Sequence, residues 1–237
     1  EKYLCGHEME KISKSKYNVQ TPDNLIKDFG ADTLRLYEMF LGPLEQFKPW
    51  DVKGINGVHN FLRKFWRLVH DAENNFSVSD DKPTKDNYKS LHKTIKKVEE
   101  DIERHSFNTA VSTFMICINE LTEQKCNSRE IISDFTILLS AYAPHIAEEI
   151  WQKLGNTTSV TMASFPQFNA TYLVESEINY PVSFNGKMRF EIQLPTEMSK
   201  DDVEAEVMKH EKTTHYLEGK TPKKVIVVPK RIVNIVF

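Results

Sequence analysis

The sequence predicts a mainly α-helical chain that closes with a small α+β domain. Three observations predict it. Between residues 51 and 155, apolar side chains recur at three- and four-residue steps, which gathers them on one side of a helix. Gly, Pro and polar residues punctuate that tract, so it divides into several helices with short connections, the pattern of an antiparallel bundle. After Gly155 the periodicity changes to alternation, and Asn185-Gly186 sits between two alternating runs as a hairpin turn.

Residues 1–17 lack helical periodicity and read as a strand followed by a loop. Thr21-Pro22-Asp23 starts a short helix, with threonine as cap and proline at the first helical position. Phe29-Gly30 ends it, a second helix runs from about Ala31 to Leu41, and Gly42-Pro43 stops that one. In the bundle, Val58, Phe61, Leu62, Phe65, Val69 and Ala72 mark the first apolar face. Tyr88, Leu91, Ile95, Val98 and Ile102 mark the second, after a polar loop over 74–85. Ser106 starts a third helix carrying Phe107, Ala110, Val111, Phe114, Ile118 and Leu121. Ser128 starts a fourth with Phe135, Leu138, Leu139 and Tyr142, and Pro144 separates it from a short helix through Trp151 to Leu154.

In the tail, Ile178, Tyr180, Val182 and Phe184 alternate up to the Asn-Gly turn. A plain two-residue turn sets Phe184 opposite Lys187, yet Met188, Phe190 and Ile192 carry the second apolar face. A three-residue loop with a bulge is the expected remedy. A helix over about 199–211 and strands at Val225–Val228 and Ile232–Phe237 complete the tail. The expected organisation is therefore 1–50, a bundle at 51–155, a linker at 156–177 and an α+β domain at 178–237.

Hydrophobic residues make up 40% of the 237, the level of a globular protein. No apolar stretch approaches the roughly 20 residues of a membrane span, and no segment reads as a secretory signal. The chain starts at Glu1 in mid-pattern and reads as a piece of something longer. Three widely spaced cysteines, Cys5, Cys117 and Cys126, fit a reducing, cytoplasmic setting rather than a disulfide scaffold. Cys5 and His7 form half a zinc site without a second pair nearby, so no metal site is expected; Cys117 falls on an apolar helix face and reads as core. Net charge is −3, so any affinity for nucleic acid rests on local charge.

The informative cluster is Lys11-Ile12-Ser13-Lys14-Ser15. Two lysines three apart, with serines between and after, make a mobile anion-binding loop. A lysine ammonium can follow a polyphosphate as it reacts, and hydroxyls and loop amides add hydrogen bonds. Such a loop can stabilise charge on a leaving pyrophosphate. Taken alone, the same residues also describe a solvated surface loop.

The tract from Glu10 to Trp50 resembles the KMSKS signature region of class I aminoacyl-tRNA synthetases, including Asn18, Pro22-Asp23 and Phe29-Gly30-Ala31-Asp32-Thr33-Leu34-Arg35. Met39 to Gln46, with Trp50, is similar to the leucine enzymes in particular, as are Val182–Lys187, Leu217–Val225 and Val233–Val236 near the end. Ile12 stands where methionine is usual, and Tyr17 where glycine is more common. The HIGH motif, the nucleotide-binding fold and the editing domain of that family are not in this sequence.

By this resemblance, Lys11 and Lys14 contact the phosphates of ATP, accompanied by Mg2+, and Lys14 is the better candidate for the transition state. Ser13 and Ser15 shape the loop. The parent reaction is ATP-dependent activation of leucine and its transfer to tRNA, and this piece alone is expected to be inactive. The bundle resembles an anticodon-binding-type domain that grips tRNA backbone, with Arg63, Lys64 and Arg67 as candidate contacts; a solvated helix face is the alternative. Trp66, His145 and Trp151 read as packing. The tail places Lys220, Lys223, Lys224, Lys230 and Arg231 against one carboxylate, Glu218, a net of +4 apart from histidine. In the family this small domain leans on the outer corner of the tRNA, and the basic residues are expected to touch phosphates. Implied partners are leucine tRNA and the catalytic half of the same chain, with no membrane and a monomeric state. A non-enzymatic helical interaction module and the matching region of a valyl or isoleucyl enzyme are the competing readings.

Overall fold

A computed structural model describes residues 10–174, 177–217 and 219–237. The strand expected near the amino end, and Cys5 with His7, lie outside the described residues. The chain divides into two compact units, residues 1–173 and 174–237.

Unit 1 is helical. After a 3-10 turn at Lys14–Lys16 come α1 (Pro22–Phe29) and α2 (Ala31–Phe40). The bundle follows with α3 (Ile55–Leu68), α4 (Lys85–Glu103), α5 (Phe107–Glu123), α6 (Arg129–Ser140) and α7 (Pro144–Lys153). The periodic residues meet as expected: Val58, Phe61, Phe65, Leu91, Ile95, Val98, Phe114, Ile118, Phe135 and Leu139 share one buried cluster. At its centre Phe65 and Phe114 each meet Phe135 edge-on, with centroids 4.9 and 5.9 Å away. Edge-to-face packing adds to the burial of such rings. Cys117 is buried in the same cluster.

Helix ends depart from expectation. Helix α3 stops at Leu68, so Ala72 is exposed in the turn beyond it. Thr21, Ser106 and Ser128 stand at helix starts, but none makes a side-chain cap bond. Ser128 donates instead to the Asp81 carbonyl at 3.1 Å. The capping box is at Thr84, whose hydroxyl accepts from the Asn87 N–H while the Asn87 side chain accepts from the Thr84 N–H. Residues 156–173 lie along the bundle: the Tyr172 ring stacks on His92 and Tyr88, at 4.5 and 4.4 Å.

Unit 2 holds β1 (Glu177–Phe184), β2 (Lys187–Pro195), α8 (Lys200–Lys209), α9 (Glu211–Leu217), β3 (Lys224–Val228) and β4 (Ile232–Val236). The sheet order is β2-β1-β4-β3, with β1 and β4 parallel and the other pairs antiparallel. Val203, Val207 and Leu217 from the helices pack against Tyr180, Val182, Phe190, Val227 and Val233 of the sheet. The expected single helix breaks at His210, whose extended backbone lets α9 start again; the Thr213 hydroxyl donates to the Val207 carbonyl across the break at 2.6 Å.

The hairpin resolves differently from expectation. Phe184 does pair with Lys187 across a two-residue turn, with φ of +48° at Asn185 and +81° at Gly186. Positive φ at both central residues is the turn whose twist suits a hairpin. The compensating irregularity lies one step inside: Val182 pairs with Phe190 and Ser183 with Met188, which leaves Arg189 as the extra residue. The bulge returns Phe190 and Leu194 to the buried face, while Met188 stays exposed.

Candidate functional site

The lysine segment is a short, internally bonded loop. The Ser13 N–H donates to Asn18 Oδ1 at 2.9 Å, and Asn18 Nδ2 donates to the Lys11 carbonyl at 3.3 Å. One amide side chain thus holds the first and middle residues of the motif. Ser13 and Ser15 hydroxyls are 3.2 Å apart. Lys16 pairs with Glu10 at 3.4 Å, whereas among the described residues neither Lys11 nor Lys14 has a carboxylate partner. Both are exposed, and their charge is available to an anion. Tyr17 closes the turn with φ +52° and donates its N–H to the Lys14 carbonyl. That left-handed conformation is one glycine enters freely and tyrosine adopts at a cost of order 1 kcal/mol. Tyr17 is 96% exposed, so no packing offsets it.

Lys11 lines an open groove of about 540 Å³ with Asn18, Gln20, Phe47, Lys48 and Trp50. Trp50 Nε1 donates to Gln20 Oε1 at 2.5 Å, which ties the segment after α2 to the base of the loop. Helix α2 is in turn tied to the bundle. Asp32 accepts from the backbone N–H groups of His145 and Ile146, at 3.3 and 2.7 Å, and from His145 Nδ1 at 2.7 Å. It caps α7 from another helix, because Ala143 at the cap position has no polar side chain. Arg35 donates to the Ala141 and Tyr142 carbonyls at the end of α6, at 3.0 and 3.3 Å. His145 is therefore no packing residue: its side chain is 74% exposed and held by Asp32. Trp66 and Trp151 are partly buried against the core, and their indole N–H groups donate to Asn74 Oδ1 and the Thr158 carbonyl. Asp32 and Arg35 lay inside the recognised motif, but nothing in spacing alone identifies their partners 106–114 residues away.

On the bundle, the helix divides the three candidate cations. Arg63 lines a groove with Phe29, His59 and Ile146. Lys64 and Arg67 face the end of α5, where Lys64 donates to Asn119 Oδ1 at 2.6 Å. In the tail, all five cations are exposed, but they form two groups. Lys220, Lys223 and Lys224 lie at the start of β3, where the Lys223 N–H donates to the Val236 carbonyl and Lys220 sits 5.3 Å from the Phe237 ring centre. Lys230 and Arg231 occupy the β3–β4 turn, roughly 13–20 Å along the strand direction. Among the described residues, no three His, Cys, Asp or Glu side chains gather as a metal site.

Residues 85–205 match the family model described as the anticodon-binding domain of tRNA ligase. The chain belongs to this family. The match takes in the bundle from α4 onward and runs into α8, so the anticodon-binding domain model crosses from unit 1 into unit 2. The chain is 64% identical over 235 residues to the leucine–tRNA ligase of Christiangramia forsetii, covering 99% of this chain and 24% of that protein. It is 58% identical to the leucine–tRNA ligase of Cytophaga hutchinsonii, covering 99% of this chain and 26% of that one. The chain thus spans about a quarter of the length of these curated relatives. Among solved structures, it is similar to the ternary complex of Agrobacterium radiobacter K84 agnB2 LeuRS with tRNA and LeuAMS. The TM-score there is 0.65 and the identity 28%, over 95% of this chain and 30% of that one.

Proposed function

We propose that this anticodon-binding domain chain is the C-terminal part of a leucine–tRNA ligase, supplying an ATP-phosphate loop and a tRNA-binding surface. The observation that carries the reading is the lysine loop: Lys11 and Lys14 are exposed and unpaired among the described residues, and Asn18 holds the backbone between them. The relatives named leucine–tRNA ligase support it. In that reaction the leucine carboxylate attacks the α-phosphorus of ATP and pyrophosphate departs. Lys14, with Lys11, neutralises charge that grows on the leaving group, while Ser13 and Ser15 set the curvature of the loop. Magnesium would accompany the nucleotide and would supply positive charge to its phosphates. Leucine recognition and the remaining catalytic groups belong to the rest of the parent protein. Arg63, Lys64, Arg67, Lys220, Lys223, Lys224, Lys230 and Arg231 contact the phosphate backbone of leucine tRNA. The parent is read as a cytoplasmic monomer; among the described residues no helix is long and apolar enough to cross a membrane.

Leucine-dependent ATP–pyrophosphate exchange tests the reading. The full-length enzyme exchanges, Lys14→Ala in it lowers kcat at least tenfold, and the 237-residue chain alone is silent. The chain binds leucine tRNA with an affinity that falls as salt rises. Salt-independent binding, or full exchange by the chain alone, is incompatible with the proposal.

A further inference from the structure

Two neighbouring cations of α3 meet a third from which the sequence separates them by 58 residues or more. Lys64 and Arg67 occupy the last turns of α3, and Lys125 follows the end of α5. With Leu68, Thr122 and Asn127 they line one open notch of about 410 Å³. No carboxylate lines it, and among the described residues none of the three forms an ion pair. The ends of α3 and α5 present carbonyls, whose partial charge favours cations there. Their partial charge, about −0.5 at each end, is well below the three full positive charges.

Lys125 carries a second signal. Its φ is +53°, in the left-handed region that glycine occupies freely. Its N–H donates to the Thr122 carbonyl at 3.1 Å, which closes the helix end. A lysine there costs backbone ease and gains a cation on the rim of the notch. Other non-glycine residues of the chain, such as His105 past the end of α4, share this backbone, so the notch rests on the cations that line it.

The geometry points to a backbone phosphate of a folded RNA as the occupant of this notch, with Lys125 as its third anchor. The Arg67 guanidinium can offer two parallel donors to the phosphate oxygens, and Lys125 adds a point charge, as does Lys64, whose ammonium also donates to Asn119 Oδ1. The inference rests on the tRNA-binding reading above and deepens it: it assigns Lys64 and Arg67 to one shared phosphate, apart from Arg63, and adds a residue from a different helix end. Contact to a phosphodiester carries no base sequence.

The test uses the whole chain and leucine tRNA across a salt series. Lys125→Gly removes the charge and suits the backbone, so its melting temperature is expected to hold or rise. Its tRNA affinity is expected to fall several-fold, and the log–log salt slope to become shallower by up to about 1. Arg67→Gln is expected to do the same, and Lys125→Arg to restore binding. Unchanged affinity and slope in Lys125→Gly overturn the notch; if Lys220, Lys223 and Lys224 neutralised together still weaken binding, the wider reading stands. If neither set matters, both fall. Inorganic phosphate is the competitor: displacement of tRNA from the native chain, but not from Lys125→Gly, beyond the effect of chloride at equal ionic strength, is the result expected when an RNA phosphate fills the notch, and phosphate that competes equally against both chains overturns it.

Discussion

Asp32 shows how one side chain can do work assigned to a helix terminus. The first amides of α7 have no local acceptor, since Ala143 precedes Pro144, and the Asp32 carboxylate reaches across from α2 to accept two of them. Asp32→Ala is expected to cost about 1–2 kcal/mol, the usual loss for a cap, and to lower the melting temperature of unit 1. A thermal scan of the variant that overlays the native one contradicts this role.

His92 is the second residue with a measurable signature. Its Nδ1 accepts the Asn169 N–H at 3.3 Å, beneath the Tyr172 ring. Burial holds its pKa below the ordinary histidine value, against a smaller upward pull from Glu130. The unfolded chain therefore binds this proton more readily than the fold does. The stability His92 contributes is complete above about pH 6.5 and is lost as pH falls through the lower folded value. Melting temperature is expected to decline from about pH 7 toward pH 5, and His92→Asn to flatten that decline. Asp134 acts in the opposite sense at lower pH, because burial and Glu130 raise its carboxyl. An unchanged pH profile in His92→Asn rules the histidine out.

At the scale of elements, the apolar periodicity of the bundle was legible because each helix has one dry side; Phe65, Phe114 and Phe135 fell where their spacing placed them. Helix ends were harder to read. A Ser or Thr before a helix is a cap only if its hydroxyl turns back, and Ser128 turned toward Asp81 instead. Thr84 does turn back, and Asn87 also donates to Gln124 Oε1 at 2.8 Å, joining α4 to the end of α5. Thr84→Ala is expected to cost about 1 kcal/mol, seen as a drop of several degrees in melting temperature. The hairpin was legible to within one residue. Asn-Gly announced the turn, but whether the extra residue falls in the loop or in the strand depends on the sheet it joins, and pairing put it at Arg189.

At the scale of the whole chain, each unit has a separate core, one helical and one built of sheet and helix. Residues 1–173 alone are expected to keep the helical circular-dichroism signal and melting temperature of unit 1. They are expected to bind tRNA more weakly than the whole chain, having lost Lys220, Lys223, Lys224, Lys230 and Arg231. A truncated chain that unfolds cooperatively at a much lower temperature contradicts the independence of the cores. Truncation without any loss of tRNA affinity removes the tail from the proposed surface.

The sequence by itself determined the helical bundle, the mixed tail and the lysine loop, because apolar periodicity, turn chemistry and a contiguous motif are local and survive reading one residue after another. Only the tertiary structure decided that Asp32 caps α7, that Arg63 parts from Lys64 and Arg67, and that Lys125 joins them. The first and last of those relations join residues 58 to 114 positions apart. They depend on how helices rotate and abut once their apolar faces are buried, and polar spacing along the chain carries no record of that rotation.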